Sequence, residues 1–222
     1  MPLSLVGSEM CIRDRHATHQ VFDFSTSDDR AIHQWFNGIN SLLPVDIAVS
    51  CIKEAPENFH SRFDAIDRTY SYVIYTGKTR PTFQRNYVYW EKNEIDLKIM
   101  KKEASHLVGT HNFSSFRGSK CTASNPVRTV KSIEIVKKNN FVVVHLCANA
   151  YLYNMVRIIV GTLLDIAKGS NKDIKSILTS EDRKNAGKTA QSNGLFLTGA
   201  SYEKINLNQE ENFSNSVIFF PA

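Results

Sequence analysis

Apolar residues recur at helical spacing between Asp28 and Leu43, where Ile32, Trp35, Phe36, Ile39, Leu42 and Leu43 fall on one face. Ser25-Thr26-Ser27 offers a cap ahead of that helix, and Pro44 ends it. Upstream, HATHQVFDF (His16–Phe24) alternates as a strand does, and so does DIAVSCIKEAP (46–56). TYSYVIYT (Thr69–Thr76) concentrates the aromatic and β-branched residues that suit a pleated surface. Leu97 to Val108 predicts a helix with Lys98, Lys101 and Lys102 on its outer face, closed by Gly109. TVKSIEIVKKNNFVVVHLCAN then predicts a hairpin turning at Lys137–Asn140. YLYNMVRIIVGTLLDIAKG is the most apolar helix, stopped by Gly169, and Asp173–Leu178 suggests another. Gly194–Tyr202 returns to strand character. Strands and helices are interspersed, and hairpins link strands as often as crossovers do. The pattern predicts an α+β fold around a mainly antiparallel sheet.

Composition narrows the class. Of 222 residues, 42% are hydrophobic and 22% charged, which suits a globular chain with a substantial core. No apolar run approaches the roughly 20 residues that span a bilayer. The N-terminal stretch lacks the early basic region of a signal peptide. Cys11, Cys51, Cys121 and Cys147 form no CxxC pair, which argues against a structural zinc site and suits a reducing compartment such as the cytoplasm. A net charge of +5 and a pI near 9.0 favour polyanionic partners such as RNA, although many basic proteins bind no nucleic acid.

Four segments could carry chemistry. FHSRFDAIDRTYSY (Phe59–Tyr72) interleaves aromatic and basic groups, a composition that suits looped or single-stranded RNA. It equally describes a loop that packs two phenylalanines inward beside solvated arginines. FRGSKCTASNPVRTV (Phe116–Val130) is a small-residue loop with Arg117, Lys120 and Arg128, able to follow a phosphate backbone and equally able to be an ordinary connection. Arg157 stands on an apolar helical turn. It either pairs with a carboxylate or phosphate inside the fold or snorkels to water from the helix edge. His16 and His19 would face opposite sides of a strand, poor geometry for one metal ion. No G-x-S-x-G elbow and no glycine-rich phosphate loop occurs.

Taken in order, HATHQVFDF, LLPVDIAVS, FHSRFDAIDRTYSYVIY, HLVGTHNFSSFR, NPVRTVKSIEI, NAYLYNMVRIIVGTLLDIAKG and GLFLTGASY resemble the TruA-type tRNA pseudouridine synthases, from His16 to Tyr202. The resemblance implies two ferredoxin-like halves sharing one central, mainly antiparallel sheet. Helices would pack on one side, with an RNA cleft between the halves. The halves would be residues 16–104, the catalytic half, and 105–203, with 204–222 as a tail. It also implies a cytoplasmic homodimer that takes tRNA across both subunits, with no membrane association, cofactor or metal. The reaction would isomerise uridine to pseudouridine at positions 38, 39 and 40 of the anticodon stem-loop. An aspartate would attack the flipped nucleotide. Tyr70 would stack on the target base, and Arg157 would pair with the catalytic aspartate. Phe59, His60, Ser61, Arg62 and Phe63, with Lys120, Cys121, Thr122, Ala123 and Ser124, would lie along the tRNA.

The same resemblance fails sharply before His16. The family's strand follows G-R-T-D-A-G-V, whose aspartate stands four residues before the histidine. Here that position is Ile12, the arginine's position is Met10, and Asp14 is out of register. Residues 1–15 therefore read as sequence foreign to the family, joined to a chain that lacks the family's first strand and helix. The expectations are an impaired synthase, an Arg157 without its carboxylate and an unpaired sheet edge. Asp14 is a weak substitute nucleophile. A non-catalytic RNA-binding protein of the same fold is the alternative. GKTAQSNGL also lacks a proline that the family often carries there.

Overall fold

The structure, a computed structural model, describes residues 16–207. Met10, Cys11, Ile12 and Asp14, and most of the tail, lie outside the described residues. Seven strands form one sheet: β1 (His16–Ala17), β2 (Ala65–Tyr75), β3 (Tyr89–Trp90), β4 (Gly109–Asn112), β5 (Val127–Lys138), β6 (Phe141–Ala148) and β7 (Leu195–Tyr202). Their spatial order is β1-β7-β2-β6-β5-β4, with β3 also paired to β2. The four long ladders are antiparallel, and the short β1/β7 and β2/β3 pairings are parallel.

Side-chain alternation decides which face of the sheet is thickly covered. Tyr70, Tyr72 and Ile74 of β2 point to the same side as Val142, Val144, Leu146 and Ala148 of β6. Helices α2 (Leu97–Ser105), α3 (Met155–Ala167) and α4 (Ile174–Ser180) pack there and form one continuous core. The opposite face carries a smaller cluster around Val73, Val88, Phe141, Val143 and Phe196. The β5–β6 turn lies where the sequence predicts it. Asn139 takes a left-handed backbone (φ 52°), which asparagine tolerates better than most residues.

Three expectations are corrected by hydrogen bonding. The strand predicted over His16–Phe24 stops at Ala17, because the Thr18 and His19 N–H groups both donate to one carbonyl, that of Leu197, and the chain then leaves the ladder. No strand forms over 46–56. The Asn40 side-chain amide satisfies the N–H and C=O of Val49 instead, at 2.8 and 3.0 Å. Helix α1 (Ile32–Leu42) starts later than Asp28, since Thr26 Oγ1 accepts from Asp28 N–H in a local turn and Gln34 caps Ala31. None of the apolar face of α1 is fully buried, and Leu42 is 88% exposed. Beyond Leu197, the outer side of β7 has no strand partner among the described residues.

The second face of the sheet builds in a pH dependence. His145 of β6 lies within 2.8 Å of Ser71 Oγ, which is 2.9 Å from Thr198 Oγ1. Burial holds the His145 imidazole below its ordinary value, against a weaker opposing pull from Glu134, and burial also lowers His19. The folded state therefore binds fewer protons than the unfolded chain as pH falls below about 6.5, so stability falls there. Glu91 adds a later loss. Burial alone would raise its carboxyl, but hydrogen bonds from Asn93 and Lys168 hold it below the ordinary carboxylate range. Thermal unfolding should show the melting temperature falling between pH 7 and 5, then again toward pH 4. His145→Gln should flatten the first step. An unchanged first step in that variant would assign it to other groups.

Candidate functional site

The cleft that gathers the predicted residues lies where β2 meets the start of α3. Tyr70, in the middle of β2, and Arg157, in the first turn of α3, line the same narrow cleft, with Tyr151 and Leu195 beside them. Its enclosed part has room for about one water, 20 Å³. The Tyr70 and Tyr151 rings meet edge to face, with centroids 5.0 Å apart. Tyr151 is fixed in turn. Its hydroxyl donates to Leu146 O at 2.6 Å and Arg68 O at 3.1 Å, and burial pushes its pKa up, so it stays a protonated donor.

Helix α3 begins later than the apolar pattern predicts. Asn154 takes a left-handed backbone (φ 60°), so Tyr151–Asn154 is a turn and the helix runs from Met155. The turn brings the Asn154 side chain back to Arg157, whose Nη1 donates to Asn154 Oδ1 at 3.2 Å. Arg157 Nε donates to Ala190 O at 2.7 Å, and Ala190 N–H donates back to Arg157 O at 3.1 Å. A guanidinium has five N–H donors, and these bonds use two, leaving three. Among the described residues, no carboxylate forms an ion pair with Arg157. It is neither deep in the core nor snorkelling freely. It is half-buried, anchored at one edge and open at the other.

The anchor is a strap, residues 186–191, laid across α3. Gly161 permits the contact: a β-carbon there would stand 1.8 Å from the Lys188 carbonyl oxygen. Thr162 Oγ1 accepts from Gly187 N–H at 2.8 Å, and Tyr72 Oη donates to Gln191 O at 2.6 Å. Arg183 ties the outer side, donating to Gly187 O at 3.0 Å and Thr189 Oγ1 at 3.2 Å. The sequence marks this segment, within GKTAQSNGL, only by its missing proline and gives it no role. The signal that could have found it is the small pair Gly161–Thr162 in an otherwise bulky helix.

The other predicted residues separate into inward and outward groups. In the second loop, Lys120, Thr122 and Ser124 are exposed, whereas Cys121 and Ala123 pack partly against the core. Arg117 turns inward and donates to Cys121 O and Ala123 O at 3.0 and 2.7 Å, so it staples the loop. Arg128 likewise serves Asn125 O and Val127 O. In the first loop, Ser61 is buried between Asp23 Oδ1, which accepts its N–H, and Tyr202 Oη, which donates to its carbonyl. Burial pushes Tyr202 up to about 12, so that donor persists across the physiological range. Phe59 packs against Tyr202. Phe63 is 73% exposed, with Arg62 over its ring and His60 beside it, so only one of the two phenylalanines packs inward.

Among the described residues, no group of three or more His, Cys, Asp and Glu comes close enough to hold a metal ion. No helix among them is long and apolar enough to cross a membrane.

Comparison with known proteins gives a consistent result. A family model described as tRNA pseudouridine synthase matches residues 104–203. The tRNA pseudouridine synthase A of Legionella pneumophila (strain Lens) is 40% identical over 191 residues, covering 85% of this chain and 73% of the relative. That of Francisella tularensis subsp. tularensis (strain FSC 198) is 36% identical over 197 residues, covering 88% and 76%.

Proposed function

This chain belongs to the tRNA pseudouridine synthase family, of the TruA type, and from that premise we propose that a uridine extruded from the tRNA anticodon stem-loop, at positions 38, 39 and 40, docks at the mouth of its cleft, which must widen beyond its room for one water to take the base in. The observation that carries the reading is Arg157, held at one edge by neutral acceptors beside Tyr70, with three donors unspent and no acid opposite among the described residues. A guanidinium so placed suits a carboxylate or a phosphate, because leaving it half-buried and unpaired costs free energy. Tyr70 is buried in this structure, 8% exposed with its ring against Tyr151, and supplies an aromatic face for stacking on the base once the cleft widens. The exposed Arg62–Phe63 pair and the Lys120, Thr122 and Ser124 edge supply outer contacts along the RNA. Cys121, Ala123, Phe59, His60 and Ser61 shape those two loops from within or beside them.

In this reading the family's reaction is an isomerisation. A carboxylate attacks the nucleotide, the bond from the ribose to N1 breaks, and a bond to C5 forms. The C5 proton leaves and N1 gains one, so no oxidant or reductant is consumed. Ile12 stands in the register of the attacking aspartate, so the chain retains RNA binding and is impaired in turnover. Residues 16–104 and 105–203 form the two halves, joined where β2 pairs with β6 and β7. The protein works in the cytoplasm as a homodimer.

Binding of a fluorescent anticodon stem-loop RNA tests the reading. The chain should bind it with an affinity that falls steeply as salt rises. Arg157→Gln should weaken binding about tenfold, the order expected for a lost charge-assisted hydrogen bond. No binding at low salt by a chain that melts cooperatively would overturn the proposal.

A further inference from the structure

A second cavity, of about 370 Å³, opens beside the cleft and shares Asn154 with it. Its wall brings together Lys120, from the loop after Arg117, and Arg183, from the segment after α4. No acidic side chain lines it, and neither cation has an acidic partner among the described residues. Two like charges gathered around one cavity repel each other, and a shared anion removes that cost. The Arg183 fork is pre-set, because Gly187 O and Thr189 Oγ1 hold two of its N–H groups and fix its plane. Gly118 lets the Lys120 loop close on the turn before α3. Its N–H donates to Tyr153 O at 2.9 Å, and a β-carbon there would stand 2.9 Å from the same oxygen. Both cations therefore sit on segments braced against the α3 start that also carries Arg157.

We propose that Lys120 and Arg183 form a phosphate subsite, which grips the backbone phosphodiester next to the uridine held between Tyr70 and Arg157. The inference rests on the RNA-binding reading above and adds to it a residue, Arg183, and a ligand group. A base drawn out of its stack swings on its flanking phosphates, so fixing one of them fixes how far the nucleotide can turn. The subsite is a positioning device: it acts on the reacting ring only through the ribose-phosphate chain. The strap joins the two sites mechanically, since Arg183 holds its outer side and Arg157 its inner side.

The test uses anticodon stem-loop RNA with a methylphosphonate, which carries no charge, placed singly at each linkage flanking the target uridine. At one linkage the change should weaken binding about tenfold and lower the slope of log affinity against log salt by about one. Lys120→Gln, at an exposed side chain with no hydrogen-bond partner among the described residues to lose, and Arg183→Gln should each reproduce that loss. In either variant the methylphosphonate should cost little more. Full penalties that add in the variants, or variants that bind like the parent with the same salt slope, would overturn the subsite and leave the RNA reading standing. If the RNA does not bind at all, that reading fails by itself, and inorganic phosphate decides the subsite. A saturable shift of the Arg183 Nε–H resonance, lost in Lys120→Gln, upholds it, and a flat titration overturns it.

Discussion

Replacing Gly161 with alanine should lower stability by about 3 kcal/mol or more, the upper range for forcing extra atoms into a packed site. For a chain of this length that is a fall of roughly 6–12 °C in melting temperature. The added carbon would lie 1.8 Å from a backbone oxygen, that of Lys188, which cannot rotate away as a side chain does. Either the strap lifts from α3 or the helix shifts in the core. If the strap lifts, the bonds from Gly187 to Thr162, from Arg157 to Ala190 and from Tyr72 to Gln191 are put at risk together. Stem-loop affinity should then fall along with stability, because Arg157 loses its anchor. Gly38→Ala is the matched control. It lies inside α1, with nothing within 4 Å of the added carbon, so alanine there should leave the melting temperature unchanged or slightly raised. Differential scanning calorimetry reads both. Equal melting temperatures for the two variants would mean that the strap does not bear on α3.

That strap marks how far the sequence could be read. A charge on an apolar turn singles out Arg157, with pairing and snorkelling both open, and the ordered segments around it carry the resemblance that pairs it with the catalytic aspartate and sets Tyr70 against the target base; the structure places both residues on one cleft. The sheet was legible from β2, β5 and β6: alternate apolar residues of β2 and β6 divide between the two faces, whereas in β5 a register shift between Val130 and Ser132 puts Val130 on the same side as Ile133 and Ile135. Alternation failed at 18–24 and 46–56 because it reports which way side chains point and not whether a neighbouring strand is present to complete the ladder. Periodicity likewise found α1 but could not tell that none of its apolar face is fully buried. The start of α3 was misread because its apolar run continues through the turn, and only the left-handed Asn154 interrupts it. Arg117 and Arg128 look like Lys120 in sequence. Their long side chains curl back to local carbonyls, which depends on loop shape and not on residue type.

Incubated with tRNA that carries tritium at C5 of its anticodon-stem uridines, the chain should release no tritium above background while still binding that tRNA. Release reports the last step of the isomerisation, since C5 gives up its hydrogen only after it has bonded to the ribose. A nucleophile must attack before that. An isoleucine side chain has no lone pair to attack with and no proton to exchange, so in the register proposed above Ile12 would remove the reaction's first step. The missing step accounts for much of an enzyme's acceleration, about 10⁶-fold or more in total, which puts turnover far below what such an assay detects. Asp14 stands two residues too late, and catalysis loses about a hundredfold for a misplacement near 1 Å. If release is seen, Asp14→Ala separates the two ways in which the expectation fails. Release that disappears in that variant makes Asp14 the nucleophile, and release that persists assigns the attack to another acid. Arg157 supplies an independent check. With no carboxylate opposite it among the described residues, its Nη–H resonances should shift when inorganic phosphate is added, whereas a guanidinium already paired with an acid would stay where it is.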